Sequence, residues 1–203
     1  MCPCFAGAEE TKEVLIGILL GDAHIARRTS TGNSRLVYGH TAVAHKEYFN
    51  HVLSIFMPFC VEGYTPQSRT ILDKRTNKSY SSISFTTMQL PCFNEYRNLF
   101  YNLDVKIVPE NIYDLLTPRG LAYWISDDGS KHNTGLHLSV YGFSNSDVDK
   151  LMFTLQDKFK FRCSIHYNRS NKPRIYIFKE SMDSLISLTR PFFVKEMLYK
   201  LGL

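Results

Sequence analysis

The stretch LAYWISDDGS, from Leu121 to Ser130, decides the fold that the sequence predicts. An apolar and aromatic run typical of a helix leads into two adjacent carboxylates, Asp127 and Asp128, and then a glycine. A similar stretch, IGILLGDAHI, lies about half a chain length earlier and carries its own acid, Asp22. Because the chain has 203 residues, this spacing indicates two diverged copies of one structural unit.

The segments after the two acids recur in the same order. Each acid is followed by a basic, polar stretch, HIARRTSTGNSR or GSKHNTG, and then by a strand-like run, RLVYGHTAV or LHLSVYGFS. An amphipathic helix, two further strand-like runs and a closing helix complete each copy. We therefore predict an α+β fold made of two halves, each with the order αββαββα.

The repeat also predicts where the chain divides. We expect an N-terminal tail over 1–11, a first half over 12–104, a linker over 105–117 and a second half over 118–203. Pro109 and Pro118 lie in and just after the linker, and proline interrupts regular elements.

The composition fits a polyanionic partner, although many basic proteins bind none. The net charge is +5 and the pI about 8.9. No apolar run approaches the length of about 20 residues that a membrane span needs, so we expect no membrane partner. The N-terminal MCPCFAGAEE lacks the features of an import signal, and five scattered cysteines favour a reducing compartment. The CxC pair of Cys2 and Cys4 lacks a second pair that would complete a zinc site.

Polar residues share one face of the predicted strands. In LHLSVY the polar face carries His137, Ser139 and Tyr141, and in SYSSISFTT it carries Tyr80, Ser82 and Ser84. An ordinary solvated sheet face is the default interpretation of any one such strand. Basic residues that could anchor phosphates flank these strands in both halves, which favours a nucleic-acid interface. These basic candidates are Arg27, Arg28, Arg35, Arg69, Lys74, Arg75, Lys131, His132, Arg169, Lys172 and Arg174.

The two acids are candidates for metal binding. Carboxylates at the ends of two neighbouring apolar helices would repel each other and resist desolvation, and a divalent cation removes that conflict. Mg²⁺ takes hard oxygen ligands and can bridge to phosphate oxygens. Asp22 and Asp128 beneath a basic sheet therefore favour metal-assisted phosphodiester hydrolysis. The alternative is that both acids are helix-terminal turn residues without a ligand.

The segments LIGILLGDA, Leu15–Ala23, and LAYWISDDG, Leu121–Gly129, resemble the two motifs of LAGLIDADG homing endonucleases. The likeness is to the single-chain subfamily of mitochondrial introns, which also includes RNA maturases. It implies metal binding by the eighth motif residue, Asp22 or Asp128, with the backbone carbonyls of Gly21 and Asp127 as accompanying contacts. Departures from the family motif at Leu20, Tyr123 and Ser126 affect helix packing more than the acids.

The resemblance also implies two basic residues near the scissile phosphates. Lys106 and Lys200 occupy matching places, since each follows the closing helix of its half. Such a lysine could polarise an attacking water or stabilise charge on the phosphate. A solvated surface lysine is the alternative interpretation of both.

These likenesses together imply a monomeric DNA endonuclease with saddle-shaped antiparallel sheets and a long, asymmetric double-stranded target. We expect Mg²⁺ as the cofactor, Mn²⁺ as a substitute, and Ca²⁺ to bind without turnover. The lack of an import signal fits a protein encoded in a mitochondrion or other organelle. One alternative is an RNA maturase that assists group I intron splicing without cutting DNA, and another is an inactive DNA-binding relative.

Overall fold

The computed structural model describes Phe5, residues 8–73, Arg75 and residues 77–203. Its first half has the predicted order of elements. Their bounds are α1 Glu9–Leu20, β1 His24–Ala26, β2 Arg35–Thr41, α2 Lys46–Phe56, β3 Gln67–Asp73, β4 Lys78–Thr86 and α3 Cys92–Phe100. A single 3₁₀ turn, Met57–Phe59, extends α2.

The predicted linker is ordered and has structure of its own. A short hairpin pairs β5, Tyr101–Asn102, with β6, Val105–Lys106, and a one-turn helix α4 spans Ile112–Leu115. The last residue of the linker, Thr117, is the N-cap of the first helix of the second half. Its side chain accepts a hydrogen bond from the Gly120 backbone N–H.

The second half repeats the first. Its elements are α5 Pro118–Asp128, β7 Gly129–His132, β8 Gly135–Ser139, α6 Asn145–Phe153, β9 Cys163–Tyr167, β10 Pro173–Ile177 and α7 Lys179–Thr189. A π-helical turn at Thr154–Lys158 extends α6, and 3₁₀ segments at Arg190–Phe192 and Lys195–Leu201 follow α7. Pro118 occupies the first turn of α5, where its missing N–H costs no helix hydrogen bond.

The two four-stranded sheets have the same topology. Their strand orders are β1-β2-β4-β3 and β7-β8-β10-β9, and every pair is antiparallel. The αββαββα order of both halves is therefore confirmed. The first strand of each sheet, β1 or β7, lies inside the stretch that the sequence marked only as basic and polar. The sequence did not predict these two strands, because strands this short show no readable alternation.

The chain folds as two compact units that do not follow the repeat. One consists of Asp22–Arg97 with Phe5, and the other of Ala8–Gly21 with Asn98–Leu203. Helix α1 belongs to the second unit because it packs on α5.

Each unit has its own core. The first centres on Tyr38, Phe49 and Phe85, whose ring centroids lie 5.7–6.1 Å apart. In the second, Trp124 is fully buried, as are Leu136 and Leu138 on the apolar face of β8.

The structure also bears on membrane-spanning helices and on the state of the cysteines. None of the helices within the described residues is both long and apolar enough to cross a membrane. Cys60, Cys92 and Cys163 are buried and form no disulfide, whereas Cys2 and Cys4 lie outside the described residues.

Candidate functional site

Helices α1 and α5 pack directly against each other within the second unit. A Cβ atom on Gly17 would lie 2.2 Å from the carbonyl oxygen of Gly120, and one on Gly120 would lie 3.0 Å from that of Glu13. Glycine is thus required at this crossing, since any side chain would push the two backbones apart. Arg119 ties the helices together further along, with its Nε 2.9 Å from Glu13 Oε2 and its Nη2 2.8 Å from Glu10 Oε1.

The acidic end of α5 meets the end of α1 at Gly21. A Cβ atom on Gly21 would lie 2.5 Å from Oδ2 of Asp127, so the Asp127 side chain fills the space beside this glycine. Asp127 is buried, whereas its neighbour Asp128 is half-buried. The two adjacent carboxylates therefore lie in different environments, and Asp128 is the more open to solvent and to ligands.

The two lysines singled out by the resemblance make matching contacts. Lys106 Nζ donates to the carbonyl oxygen of Gly21 at 3.1 Å, and Lys200 Nζ donates to that of Asp127 at 2.8 Å. Each lysine thus holds the residue that immediately precedes one of the motif acids, Asp22 or Asp128. Lys200 is only 7% exposed, which excludes a solvated surface lysine at that position, and Lys106 is half-buried.

A cavity opens where these groups meet in the second unit. It has a volume of about 210 Å³ and is lined by Leu20, Gly21, Lys106, Asp128 and residues 139–143. A carboxylate, a backbone segment and an ammonium group therefore border one space, which is large enough for an ion and several oxygen ligands.

The other acid, Asp22, belongs to the first unit and has its own neighbour. Its side chain is 44% exposed, and its Oδ2 lies 3.7 Å from Nε2 of His40, whose side chain is only 7% exposed. His40 lies on β2 and was not among the candidates from the sequence. It was missed because this contact joins residues far apart in the chain.

The first sheet places its predicted DNA-contacting residues on one face. The antiparallel register sets Arg69 opposite Ser82, and sets Ser84 opposite both Gln67 and Gly39. Residues that pair directly across strands point to the same side of a sheet. By register and alternation, that face carries Arg35, Arg69, Tyr80, Ser82 and Ser84.

The remaining basic candidates of the first half lie outside these strands. Arg28 and Arg75 are exposed. Arg27 is half-buried, and its Nε donates to the Ser34 hydroxyl at 3.0 Å. Lys74 lies outside the described residues.

The second sheet presents a different face. Its register sets His137 opposite Ser130 and Tyr176, and Arg174 opposite Ser139 and His166. Three of these residues, His137, His166 and Arg174, border a cavity of about 470 Å³. The cavity is also lined by His132, Tyr167, Asn168, Arg169 and Ser170. The sequence singled out four of these eight residues, namely His132, His137, Arg169 and Arg174. It missed His166, and also Tyr176 on the same face, although alternation along β9 and β10 marks both.

Tyr141 organises the basic residues at one edge of this face. Arg174 Nε donates to the Tyr141 hydroxyl. The charged ends of Arg174 and Lys172 also lie 5.6 and 5.5 Å from the ring centroid. Lys131, Arg169 and Lys172 are exposed, so their charges remain available to a phosphate backbone.

His137 differs from its neighbours because it is buried, with only 6% of its surface exposed. Its Nε2 lies 3.4 Å from Nδ1 of His166, and its ring centroid lies 4.4 Å from that of His132. Burial, followed by the positive charges of His132, Arg174 and His166, lowers the pKa of His137 to about 4. His137 is therefore neutral at physiological pH, and a neutral imidazole offers one hydrogen-bond donor and one acceptor.

Comparison with known proteins gives a consistent result. The family model described as "LAGLIDADG DNA endonuclease family" matches residues 12–185. The cytochrome b mRNA maturase bI2 of Debaryomyces hansenii is 31% identical over 197 residues, which cover 96% of this chain and 74% of the relative. Probable intron-encoded endonuclease 1 of Wickerhamomyces canadensis is 30% identical over 200 residues, which cover 94% of this chain and 83% of the relative.

Solved structures agree with these relatives. The homing endonuclease I-WcaI bound to its DNA recognition sequence has a TM-score of 0.87 and 27% identity, with 95% of this chain and 86% of that chain covered. I-DmoI in complex with DNA and Mn has a TM-score of 0.55 over 92% of this chain and 99% of that chain. Its identity is 10%, so that likeness concerns the fold alone. Because the family model and the relatives match most of its length, this chain belongs to the LAGLIDADG DNA endonuclease family.

Proposed function

We propose that this chain is a monomeric, metal-dependent endonuclease of intron homing, which cuts both strands of a long, asymmetric DNA target. The observation that carries the proposal is the cavity in which Gly21, Lys106 and Asp128 meet at the end of the packed helices. Metal-assisted phosphodiester hydrolysis uses two such parts. One is a metal ion held by an acid, and the other is a lysine beside the phosphate.

The donor atoms fit a hard divalent cation. Our proposal assigns the carboxylates of Asp22 and Asp128 and the carbonyl oxygens of Gly21 and Asp127 as metal contacts. All are oxygen ligands, which suit Mg²⁺, with Mn²⁺ as a substitute and Ca²⁺ as an ion that binds without turnover. A carbonyl oxygen has two lone pairs, so it can accept a lysine hydrogen bond and still contact an ion. Such an ion would supply Lewis-acid stabilisation of charge on the phosphate.

The lysines contribute a fixed positive charge. Each ammonium group is already held by a backbone carbonyl, so little reorganisation is needed when negative charge develops nearby. We assign Lys106 and Lys200 to this role, one for each half of the repeat.

The polar faces of the two sheets would carry the DNA. Exposed basic residues would contact phosphates, which positions the duplex, and hydroxyl, imidazole and guanidinium groups would read base edges. The relatives whose names include "intron-encoded" support a gene within an intron, and we propose an organelle as the site of action.

A second candidate function is that of an RNA maturase, which would assist splicing of a group I intron and need not cut DNA. The observation that favours it is the likeness to the maturase of Debaryomyces hansenii. A splicing reaction reconstituted with the intron of the host gene would separate the two functions.

The direct test of the nuclease is cleavage of a plasmid library of random targets in the presence of Mg²⁺, read by sequencing of the cut ends. We expect a single long consensus with a short stagger, and no product when Ca²⁺ replaces Mg²⁺. No cutting in Mg²⁺ or Mn²⁺ would contradict the nuclease.

A further inference from the structure

The surroundings of the two motif acids differ at one matching position. The residues two places after the acids, His24 and Ser130, pair with Val37 on β2 and His137 on β8. Three residues further along the chain stand His40, on β2, and Val140, directly after β8. One half therefore has an imidazole where the other has an aliphatic side chain.

His40 is held firmly in place. Its side chain is 7% exposed, and its ring meets those of His45 and Tyr48 edge to face, with centroids 4.6 and 5.7 Å away. In this setting its Nε2 lies 3.7 Å from Oδ2 of Asp22. Packing, rather than the contact with the acid, thus fixes where the imidazole points.

The hydrogen bonds of His40 decide which nitrogen carries the proton. The backbone N–H of Thr41 donates to Nδ1 of His40 at 3.0 Å. A nitrogen that accepts a hydrogen bond cannot carry a proton itself, so the neutral ring is protonated at Nε2. In this tautomer the group that faces Asp22 is an N–H donor.

We propose that His40 is a positioning residue, which holds the carboxylate of Asp22 through Nε2–H and makes the two half-sites unequal. The inference rests on the proposed function, because it assigns Asp22 to metal binding. The separation of 3.7 Å exceeds the 2.7–3.2 Å of a direct hydrogen bond. The contact is made when the carboxylate turns toward the imidazole or through one bridging water.

The expected role follows from how metal ligands are supported. Carboxylates that bind ions are themselves hydrogen-bonded, and loss of such an outer partner costs about 10- to 100-fold in metal affinity or activity. The Val140 side chain has no polar hydrogen, so it cannot support Asp128 as the His40 imidazole would support Asp22. His40 should thus matter for one strand of the target only.

The test uses His40→Val, which copies the second half, and His40→Gln, whose amide can still donate. Mn²⁺ affinity of the free protein is measured by electron paramagnetic resonance, and each strand is followed separately in single-turnover cleavage. We expect His40→Val to weaken one Mn²⁺ site by about 10- to 100-fold and slow one strand, with partial recovery in His40→Gln. His51→Ala, which removes an imidazole of α2 outside the rings that pack on His40, should change neither readout by more than about twofold. Thermal unfolding shows whether each variant is folded.

Two results would overturn the inference. One is an unchanged Mn²⁺ affinity in a folded His40→Val protein, and the other is equal slowing of both strands. If His40→Val does not fold, His40→Leu, which keeps more of the ring's volume, is measured against the same criteria. A protein that cuts no DNA but loses Mn²⁺ affinity in His40→Val would contradict the nuclease and retain the positioning role.

Discussion

The two halves of this chain share one backbone plan and differ in their chemistry. Both sheets have the same strand order and the same antiparallel pairing. The first presents Arg35, Arg69 and a series of hydroxyl groups, whereas the second presents three histidines and Arg174 around a cavity. Topology has therefore been kept while the surface that would read a target has diverged. A protein with two different reading faces suits an asymmetric site better than a palindrome.

The same contrast holds for the two lysines. Lys106 and Lys200 donate to equivalent backbone carbonyls, at Gly21 and Asp127, but Lys106 is half-buried and Lys200 almost fully buried. Equivalent contacts in unequal surroundings predict two strand-cutting sites with unequal rates.

The largest effect is expected from the acids. Asp22→Asn or Asp128→Asn keeps the shape of the side chain but removes the charge to which we assign the cation. Cleavage of the corresponding strand should fall on the order of 1000-fold, equivalent to about 4 kcal/mol. DNA binding should persist or tighten, because repulsion between carboxylate and phosphate is lost.

Strand-resolved cleavage and a binding titration check this prediction, with the exposed Asp149→Asn on α6 as the control. Parental rates on both strands in both single variants would remove the acids from the mechanism. Loss of one strand alone in each variant would show that the two halves act independently.

A smaller effect is expected from the lysines. Lys106→Met and Lys200→Met each remove a positive charge that we propose lies near the phosphate, so we expect a loss of about 100-fold in single-turnover rate. The loss should exceed any change in DNA affinity. Arginine keeps the charge, so Lys106→Arg should retain more activity than Lys106→Met. Full activity in both methionine variants would assign the lysines to structure alone.

The two sheet faces should separate anchors from readers. Arg69→Ala should weaken binding to all sequences about equally and reduce the salt slope by roughly one unit. Arg174→Ala should cost about 1–3 kcal/mol at its own target position and relax specificity there. Profiling both variants against every single-base change in the target distinguishes the two patterns. Unchanged affinity and profile in both variants would place the DNA on another surface.

The smallest effect concerns the dependence of stability on pH. Folding lowers the pKa of His137 from 6.5 to about 4, so the unfolded chain binds a proton in this range that the folded protein refuses. Stability should therefore fall as pH drops from about 6.5 to 4. His137→Gln removes this contribution. Between pH 7 and pH 4.5, the melting temperature of His137→Gln should therefore fall by roughly several degrees less than that of the parental protein. Ser139→Ala, on the same face without an ionisable group, should keep the parental pH dependence; a parental slope in His137→Gln would contradict the assignment.

The sequence predicted the parts of the fold that depend on local patterns. The apolar runs before Asp22 and Asp128 marked α1 and α5, and alternation along β4 and β8 marked the polar faces. The sequence did not predict strands β1 and β7, because segments of three or four residues are too short to show a period-two pattern.

What the sequence could not supply were contacts between distant residues. That Asp127 is buried and Asp128 half-buried depends on the approach of α1 at Gly21. Lys200 is buried and donates to the Asp127 carbonyl oxygen because the 3₁₀ segment Lys195–Leu201 packs back against α5. His40 beside Asp22 is likewise a product of sheet register rather than of spacing.

The central claim is that the two halves form one metal-dependent nuclease with two unequal strand sites. It is tested most directly by a single-turnover time course on the mapped target, with each strand labelled separately, in Mg²⁺, for the parental protein and the double variant Asp22→Asn, Asp128→Asn. We expect both strands of the target to be cut at different rates by the parental protein and neither to be cut by the double variant. Cleavage by the double variant at the parental rate, or a parental protein that cuts neither strand, would contradict the claim.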